Sequence, residues 1–374
     1  MGTDPHVHPW RHRLRAMVSW LHLWVGLTAG LLFAVLGLSG SVLTFHSELL
    51  LAQHSQLAAQ TPVADGAVLA QLMERWAPQG MTAIDLPRAS MPAWQGFFAD
   101  DSRRYFAIDT GALLLTRTTD NDWLLWLHEL HTHFLGGETG EEIVGVVGWI
   151  ACFLLLSGLY LWWPRMGRWL AHLRPYANPP VRRWLTWHRS TGALALPLLL
   201  LVATCGVGMV YHDAARTLLV AMFGGGNAPK PPTLDDALVR VDWPHVLAGA
   251  QNALPGAQLT RVATPRDSNR VIAFRARAHG EWHPNGRSLV FVDAADGKLL
   301  GRHDATAQRA GARASEAIYP LHIGAVGGPL YRWAVAFAGL LPSFFLGTGF
   351  LFWRRRRAAR VRAGAGQAPT RAGR

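Results

Sequence analysis

The chain has 374 residues, half of them hydrophobic, and a formal charge of +12. That length would allow two or three soluble domains. Four stretches without Asp, Glu, Lys or Arg exclude a wholly soluble protein: residues 16–47, 143–164, 190–212 and 333–353. Each can supply the ~20 apolar residues that cross ~30 Å of hydrocarbon.

Residues 1–15 carry Arg11, Arg13 and Arg15 and read as a cytoplasmic N-terminus. The first span, 16–46, is too long for the ~7–15-residue core of a signal peptide, and no A-x-A-like site follows it. It is expected to be an uncleaved anchor. Residues 47–141 form a first outer segment, with helical periodicity over 63–76 and strands at 81–86, 94–99, 104–108 and 112–115. The last two strands flank the turn Asp109-Thr110-Gly111. The second span is 142–164, followed by a basic loop at 165–184 and a third span at 185–212. A second outer segment, 213–328, opens with the Gly/Pro-rich stretch 224–232. It continues with a helix at 244–254 and strands at 258–263, 270–276, 288–292 and 298–300, with Asp296-Gly297 turning before the last. The fourth span is 329–353, and 354–374 is a basic tail. The fold class expected is a mainly α integral membrane protein, with four helices in two parallel repeats and two periplasmic α+β domains.

Charge placement orients the chain. The N-terminal segment, the loop (Arg165, Arg168, Arg174, Arg182, Arg183) and the tail (Arg354 to Arg357, Arg360, Arg362, Arg371, Arg374) contain one acidic residue, Asp4. The positive-inside rule puts all three in the cytoplasm and both outer segments outside. The basic balance is thus a matter of topology and lipid contact, not of nucleic-acid binding. Both cysteines, Cys152 and Cys205, sit inside apolar runs, so no disulfide framework is expected outside. The absence of C-x-x-C-H excludes covalently attached haem.

The spans repeat. An offset of 166 residues pairs His22 with His188, Gly26 with Gly192, Gly40 with Gly206 and His46 with His212. An offset of 191 pairs Leu130-His131 with Leu321-His322, Gly136-Gly137 with Gly327-Gly328, Phe153 with Phe344, Gly158 with Gly349 and Trp162 with Trp353. The two units are read as parallel repeats about an axis along the membrane normal.

Histidine is costly in a bilayer, so its duplication at span ends points to a cofactor between helices. A b-type haem takes two neutral imidazoles from facing helices. His22 with His188 is the simplest pair on the cytoplasmic side. On the outer side His131 with His322 and His46 with His212 are both symmetric candidates, and crossed pairs such as His46 with His322 stay open. Twenty-four helical residues cover about 36 Å, so His22 and His46 are expected near opposite faces of the ~30 Å core, and His188 and His212 likewise. The two ends would then sit ~240° apart in helical phase and need not face one cavity. His128-Glu129-Leu130-His131 is one residue short of the zincin motif, whose two histidines must share a helix face. His128, His131, His133 and Glu138 could hold a loose metal. The bland reading of each histidine is an interfacial residue bonded to backbone or lipid.

Several motifs in order resemble the PepSY-associated transmembrane family: "LHLWVGLTAGLLFAVLGLSGSVL", "LHTHFLGG" and "LHIGAVGG", "SGLYLWWPR" and "TGFLFWRRR", "IDTGALL" and "VDAADGKLL". The likeness runs over about residues 12–360. It favours His131 with His322 on the outer side and implies PepSY-like outer domains. Within the family, the single-chain four-helix form resembles ferrioxamine-type siderophore-iron reductases of the bacterial inner membrane. That implies two b haems, reduction of a ferric, hydroxamate-type siderophore outside, and an unidentified cytoplasmic or membrane electron donor. Two other readings stay open. A membrane-anchored PepSY binding or regulatory protein would not need buried histidines. A siderophore or metal transporter would need polar groups at mid-membrane, for which Ser39, Ser157, Pro197 and Thr204 are the hints.

Overall fold

A computed structural model of the protein describes residues 9–58, 62–164, 169–227, 229–234, 241–265 and 269–365. Asp4, His6, His8, Arg165, Arg168, Ala228, Arg371 and Arg374 lie outside the described residues. In chain order the helices are α1 Pro9–Leu43, α2 His46–Gln53, α3 Gly66–Trp76, α4 Trp123–His133, α5 Gly137–Trp162 and α6 Trp169–Leu173. They continue with α7 Pro180–Val210, α8 His212–Phe223, α9 Trp243–Ala253, α10 Ala310–His322 and α11 Gly328–Ala365. The strands are β1 Met81–Asp85, β2 Trp94–Phe98, β3 Arg103–Phe106, β4 Leu113–Arg117, β5 Gln258–Ala263, β6 Val271–Arg277, β7 Ser288–Asp293 and β8 Leu299–His303. The chain falls into two compact units, one of Met1–Thr44, Leu130–Val210 and Pro329–Arg374, the other of Phe45–Glu129 and Tyr211–Gly328.

The first unit is helical. Helices α1, α5, α7 and α11 contain segments long and apolar enough to cross a membrane, and the chain is a multi-pass membrane protein. In lipid, apolar contact does not by itself drive helices together, so close packing at small residues does. Gly37 of α1 meets Gly339 of α11 so tightly that a Cβ on Gly37 would lie 2.3 Å from the Gly339 carbonyl oxygen. Beside them the Ser41 hydroxyl donates across to the Ala336 carbonyl at 2.7 Å, tying the two helices, with the Gly37 carbonyl 3.0 Å away. Gly148 of α5 admits Val207 of α7 in the same way.

The sequence reading carries the first span to His46 and the third to His212. The structure breaks both. Helix α1 stops at Leu43 and α7 at Val210, and each of those histidines begins a short new helix. At the first break Arg332 of α11 donates to the Thr44 carbonyl from Nε at 3.0 Å and from Nη2 at 2.7 Å. A guanidinium on a terminal carbonyl satisfies an acceptor the helix leaves open.

The second unit is built on one antiparallel sheet of eight strands in the order β4-β3-β2-β1-β5-β6-β7-β8. The order is palindromic about the β1–β5 pair, where Ile84 faces Val262 and Asp85 faces Arg261. The two outer segments, separate in sequence, therefore share a sheet. They also share a core: α3 and α9 cover one face, and Leu69, Leu72, Trp76, Ile84, Trp94, Phe106, Val246, Val262, Phe274 and Val290 pack in a single cluster. Full burial of each such side chain contributes about 1.5–3 kcal/mol. Both helices start at an Asp cap: Asp65 accepts from the Ala67 N–H at 2.7 Å and Asp242 from the His245 N–H at 3.3 Å. Gly111 and Gly297 turn the two hairpins at φ +63° and +66°, a backbone region that glycine occupies freely.

On the other face Leu50, Leu57, Tyr105 and Leu124 form a smaller cluster. It contains a buried ion pair. Arg117 donates to Asp122 from Nε at 2.8 Å and from Nη2 at 2.7 Å, and to the Tyr105 hydroxyl at 2.8 Å. Asp122 also accepts from the Leu125 N–H at 2.9 Å, capping α4. Burial pushes the Asp122 carboxyl up, but the Arg117 and Leu125 hydrogen bonds outweigh it and hold the pKa at about 2. Removing one partner of a buried pair strands the other. Asp122→Ala should thus destabilise the outer unit by about 3–5 kcal/mol in denaturant titration. Because the folded pKa is depressed from 3.8 to about 2, the wild-type pair's contribution should be complete above the upper value and fade as pH falls through the lower one. A variant that unfolds like wild type at pH 7 would contradict this.

Candidate functional site

Helix α1 carries His22 and α7 carries His188, and the bundle brings the two rings to 6.2 Å between centroids with planes at 82°. They border a cavity of about 570 Å³ between α1, α5, α7 and α11, lined mostly by Leu, Gly and Phe side chains. Gly158 lies against His22, where a Cβ would come within 3.3 Å of its Cε1. Gly349 occupies the same place beside His188, at 3.8 Å. One end of the cavity is basic, with His12, Arg15, Arg189 and Arg356. The Nε of Arg189 is buried without a hydrogen-bond partner among the described residues.

Each ring is held by a hydroxyl. His22 Nδ1 bonds Ser157 Oγ of α5 at 2.8 Å, and His188 Nδ1 bonds Thr348 Oγ1 of α11 at 3.0 Å. The hydroxyl protons are already engaged: Ser157 donates to the Leu154 carbonyl at 3.2 Å, and Thr348 to the Phe344 carbonyl at 2.8 Å. A hydroxyl has one proton to give, so each then accepts from its imidazole. That arrangement favours the Nδ1–H tautomer of both rings, which leaves the Nε2 lone pairs for a ligand. His131 repeats the arrangement. Its Nδ1 bonds Ser39 Oγ at 2.9 Å, and Ser39 donates to the Val35 carbonyl at 2.8 Å. Gly40 beside it has no room for a Cβ, which would lie 2.9 Å from His131 Cε1.

The two rings stand at a separation at which both could hold one metal ion. A metal–imidazole nitrogen bond of ~2.0 Å plus ~1.1 Å from nitrogen to ring centre, taken twice, gives ~6.2 Å. A cavity of this size lies within the ~300–1,000 Å³ usual for cofactor sites. The remaining histidines differ among themselves. His322 ends α10, partly buried. His46 starts α2, with its Nε2 buried and lacking a hydrogen-bond partner. Burial first, then Arg117, Arg103 and His128, push its pKa down to about 4. His212 is largely exposed and touches Asp213 at 3.3 Å. Among the described residues no group of three or more His, Cys, Asp or Glu is placed to hold a metal ion, so His128, His131, His133 and Glu138 do not assemble into one.

The sequence profile of the PepSY-associated TM region matches residues 19–356. The chain belongs to that family. A search of the curated proteins finds no match. Within this PepSY-associated chain, sequence spacing paired His22 with His188 but missed the hydroxyls that hold them. Ser39 and Ser157, read as hints of a transport path, instead hold His131 and His22. Thr204 bonds back to the Leu200 carbonyl of its own helix at 2.7 Å. The missed signal was in the sequence: Ser157 and Thr348 stand 191 residues apart, the offset that pairs Gly158 with Gly349.

Histidine-labelled, ligand-free protein examined by ¹⁵N NMR should show three imidazoles fixed as Nδ1–H. Ser157→Ala should release one of them to exchange between tautomers. Finding His22, His188 and His131 as Nε2–H would contradict the wiring.

Proposed function

We propose that this PepSY-associated protein is a b-type haem oxidoreductase of a bacterial inner membrane, carrying electrons outward to reduce a ferric siderophore. The observation that supports this best is the His22–His188 pair, 6.2 Å apart beside the cavity, with both Nε2 atoms left for a metal. A haem held by these rings supplies a reversible one-electron couple within the bilayer. Ser157 and Thr348 orient the rings and favour their ligand tautomer. Leu, Gly and Phe side chains exclude water. His12, Arg15, Arg189 and Arg356 would take the two propionates at the basic end.

In this reading the chain is an internal duplication, with termini and the 165–184 loop in the cytoplasm and the sheet unit in the periplasm. His131 and His322 are the proposed ligands of a second, outer haem. His131 has the same hydroxyl lock and close glycine as the inner pair. Electrons enter from a donor on the cytoplasmic side. Outside, each Fe(III) takes one electron and becomes Fe(II), which hard oxygen donors hold less well.

His22→Ala and His188→Ala should each lower the pyridine haemochrome count from about two haems per chain to about one. Both should keep the fold, since the rings face a cavity. An unchanged count in both variants would sink the assignment of the inner pair.

A further inference from the structure

The sheet face opposite α3 and α9 gathers arginines in cross-strand register. One row runs Asp85, Arg261, Arg275 and Leu289. A second runs Arg117, Arg103 and Phe97. Arg261 and Arg103 lie over the Phe97 ring, at 4.2 and 5.9 Å. Arg287 precedes β7, and its field reaches Arg275 and Tyr319. Tyr319 of α10 also feels Arg88 and Arg103, and stacks on His283 at 5.0 Å. Arg103, Arg261, Arg275, Arg287, Phe97 and Tyr319 are partly exposed, whereas Asp85, Arg117 and His283 are buried.

The nearby acids are already engaged. Asp85 takes Arg261 at 2.5 Å and Arg88 at 3.3 Å. Asp122 takes Arg117. Glu281 accepts from the Ala278 N–H at 2.9 Å, from Ser288 Oγ at 3.2 Å and from the Arg287 N–H. Glu316 pairs with Arg216 at 3.7 Å. Arg103, Arg275 and Arg287 keep no ion pair or side-chain hydrogen bond among the described residues. Burial pushes all three pKa values down, Arg275 to about 10, and all stay cationic at neutral pH. Asp85, Glu281 and Glu316 act on Arg275 and Arg287 only from a distance, and Arg103 has the Phe97 ring, so part of the desolvation cost of these guanidinium groups stands. A ligand bearing several anionic oxygens would remove it.

We propose that Arg103, Arg275 and Arg287, with Phe97 and Tyr319 beside them, form a binding site for a small polyanionic chelate whose oxygens are carboxylate or catecholate. This rests on the proposed function for its biological meaning: the ferric substrate would be an anionic chelate, rather than a neutral or cationic hydroxamate. Arg forks match paired oxygens, and the aromatic rings suit a flat ligand. Tyr319 sits one helical turn before His322, so a chelate there lies beside the proposed outer ligand. The propionates of a haem on His322 would offer the same carboxylate chemistry, and so would anionic lipid headgroups.

The test is titration calorimetry of the full chain in nanodiscs of neutral lipid, with redox-inert gallium(III) tris-catecholate as the probe. Neutral gallium(III) tris-acetohydroxamate is the comparator. We expect saturable binding of the anionic chelate, at least tenfold tighter than the neutral one. The double variant Arg103→Gln/Arg275→Gln should weaken it at least tenfold. Arg313→Gln, an exposed loss of one charge on α10, should leave it unchanged. Removing unpaired cations should leave the ligand-free melting temperature equal or higher, which separates lost binding from misfolding. Equal affinity for both chelates, or none for either, would overturn the proposal. So would haem loss in the double variant without chelate binding by wild type, or full displacement by anionic lipid; these assign the cluster to propionates or headgroups. The probe needs no electron, so His22→Ala should still bind it. Binding in a haem-free protein would sink the conduit and keep this site.

Discussion

An imidazole inside an apolar bundle must find a partner for each ring nitrogen or leave one for a ligand. Ser157, Thr348 and Ser39 each take one nitrogen of a membrane-unit ring, and each hydroxyl is itself bound to its own helix. The result is three rings with one orientation logic, which in His22 and His188 leaves the Nε2 lone pairs for a ligand. The glycines follow from the same requirement. Gly158, Gly349 and Gly40 stand where a Cβ would press on a histidine, and Gly37 with Gly339 lets α1 and α11 approach near Ser39. The helix bundle is therefore organised around its rings as much as around its apolar surface.

The sheet unit solves a different problem. A four-stranded half-sheet with one helix on one face leaves an edge strand open and a thin core. Pairing β1 with β5 closes both edges against each other and merges two small cores into one. The opposite face is polar, and its charge is uneven: acids answer Arg88, Arg117 and Arg261 and leave Arg103, Arg275 and Arg287 to something else. A stability argument alone does not account for that surplus, since apolar or paired residues would cost less there.

Much of this was legible in the chain. The spans follow from run length, and the strands at 258–263 and 94–98 follow from alternation, because those signals are local. The pairing of His22 with His188 follows from the 166-residue offset. The end of α1 was not legible, because Arg332 caps it from 288 residues away. Nor was the joining of the two outer segments, since β1 and β5 carry no mark of pairing with each other rather than standing at two edges. Helix α10 was missed because Gly311 and Pro320 dilute its pattern, and α2 and α8 because each follows directly on a span with no Gly or Pro between to mark a new helix. The arginine face is invisible to composition: charge on a strand reads as solvent-facing, and only cross-strand register shows that the charges converge.

The central claim is that His22 and His188 share one iron. Low-temperature electron paramagnetic resonance of the oxidised protein tests it most directly, because ring planes at 82° impose a distinctive electronic symmetry. A low-spin ferric signal of strongly anisotropic type, from near-perpendicular imidazoles, is expected in wild type and should disappear in both His22→Ala and His188→Ala. The absence of such a signal in wild type, or a strongly anisotropic signal of unchanged amplitude in both variants, would contradict it.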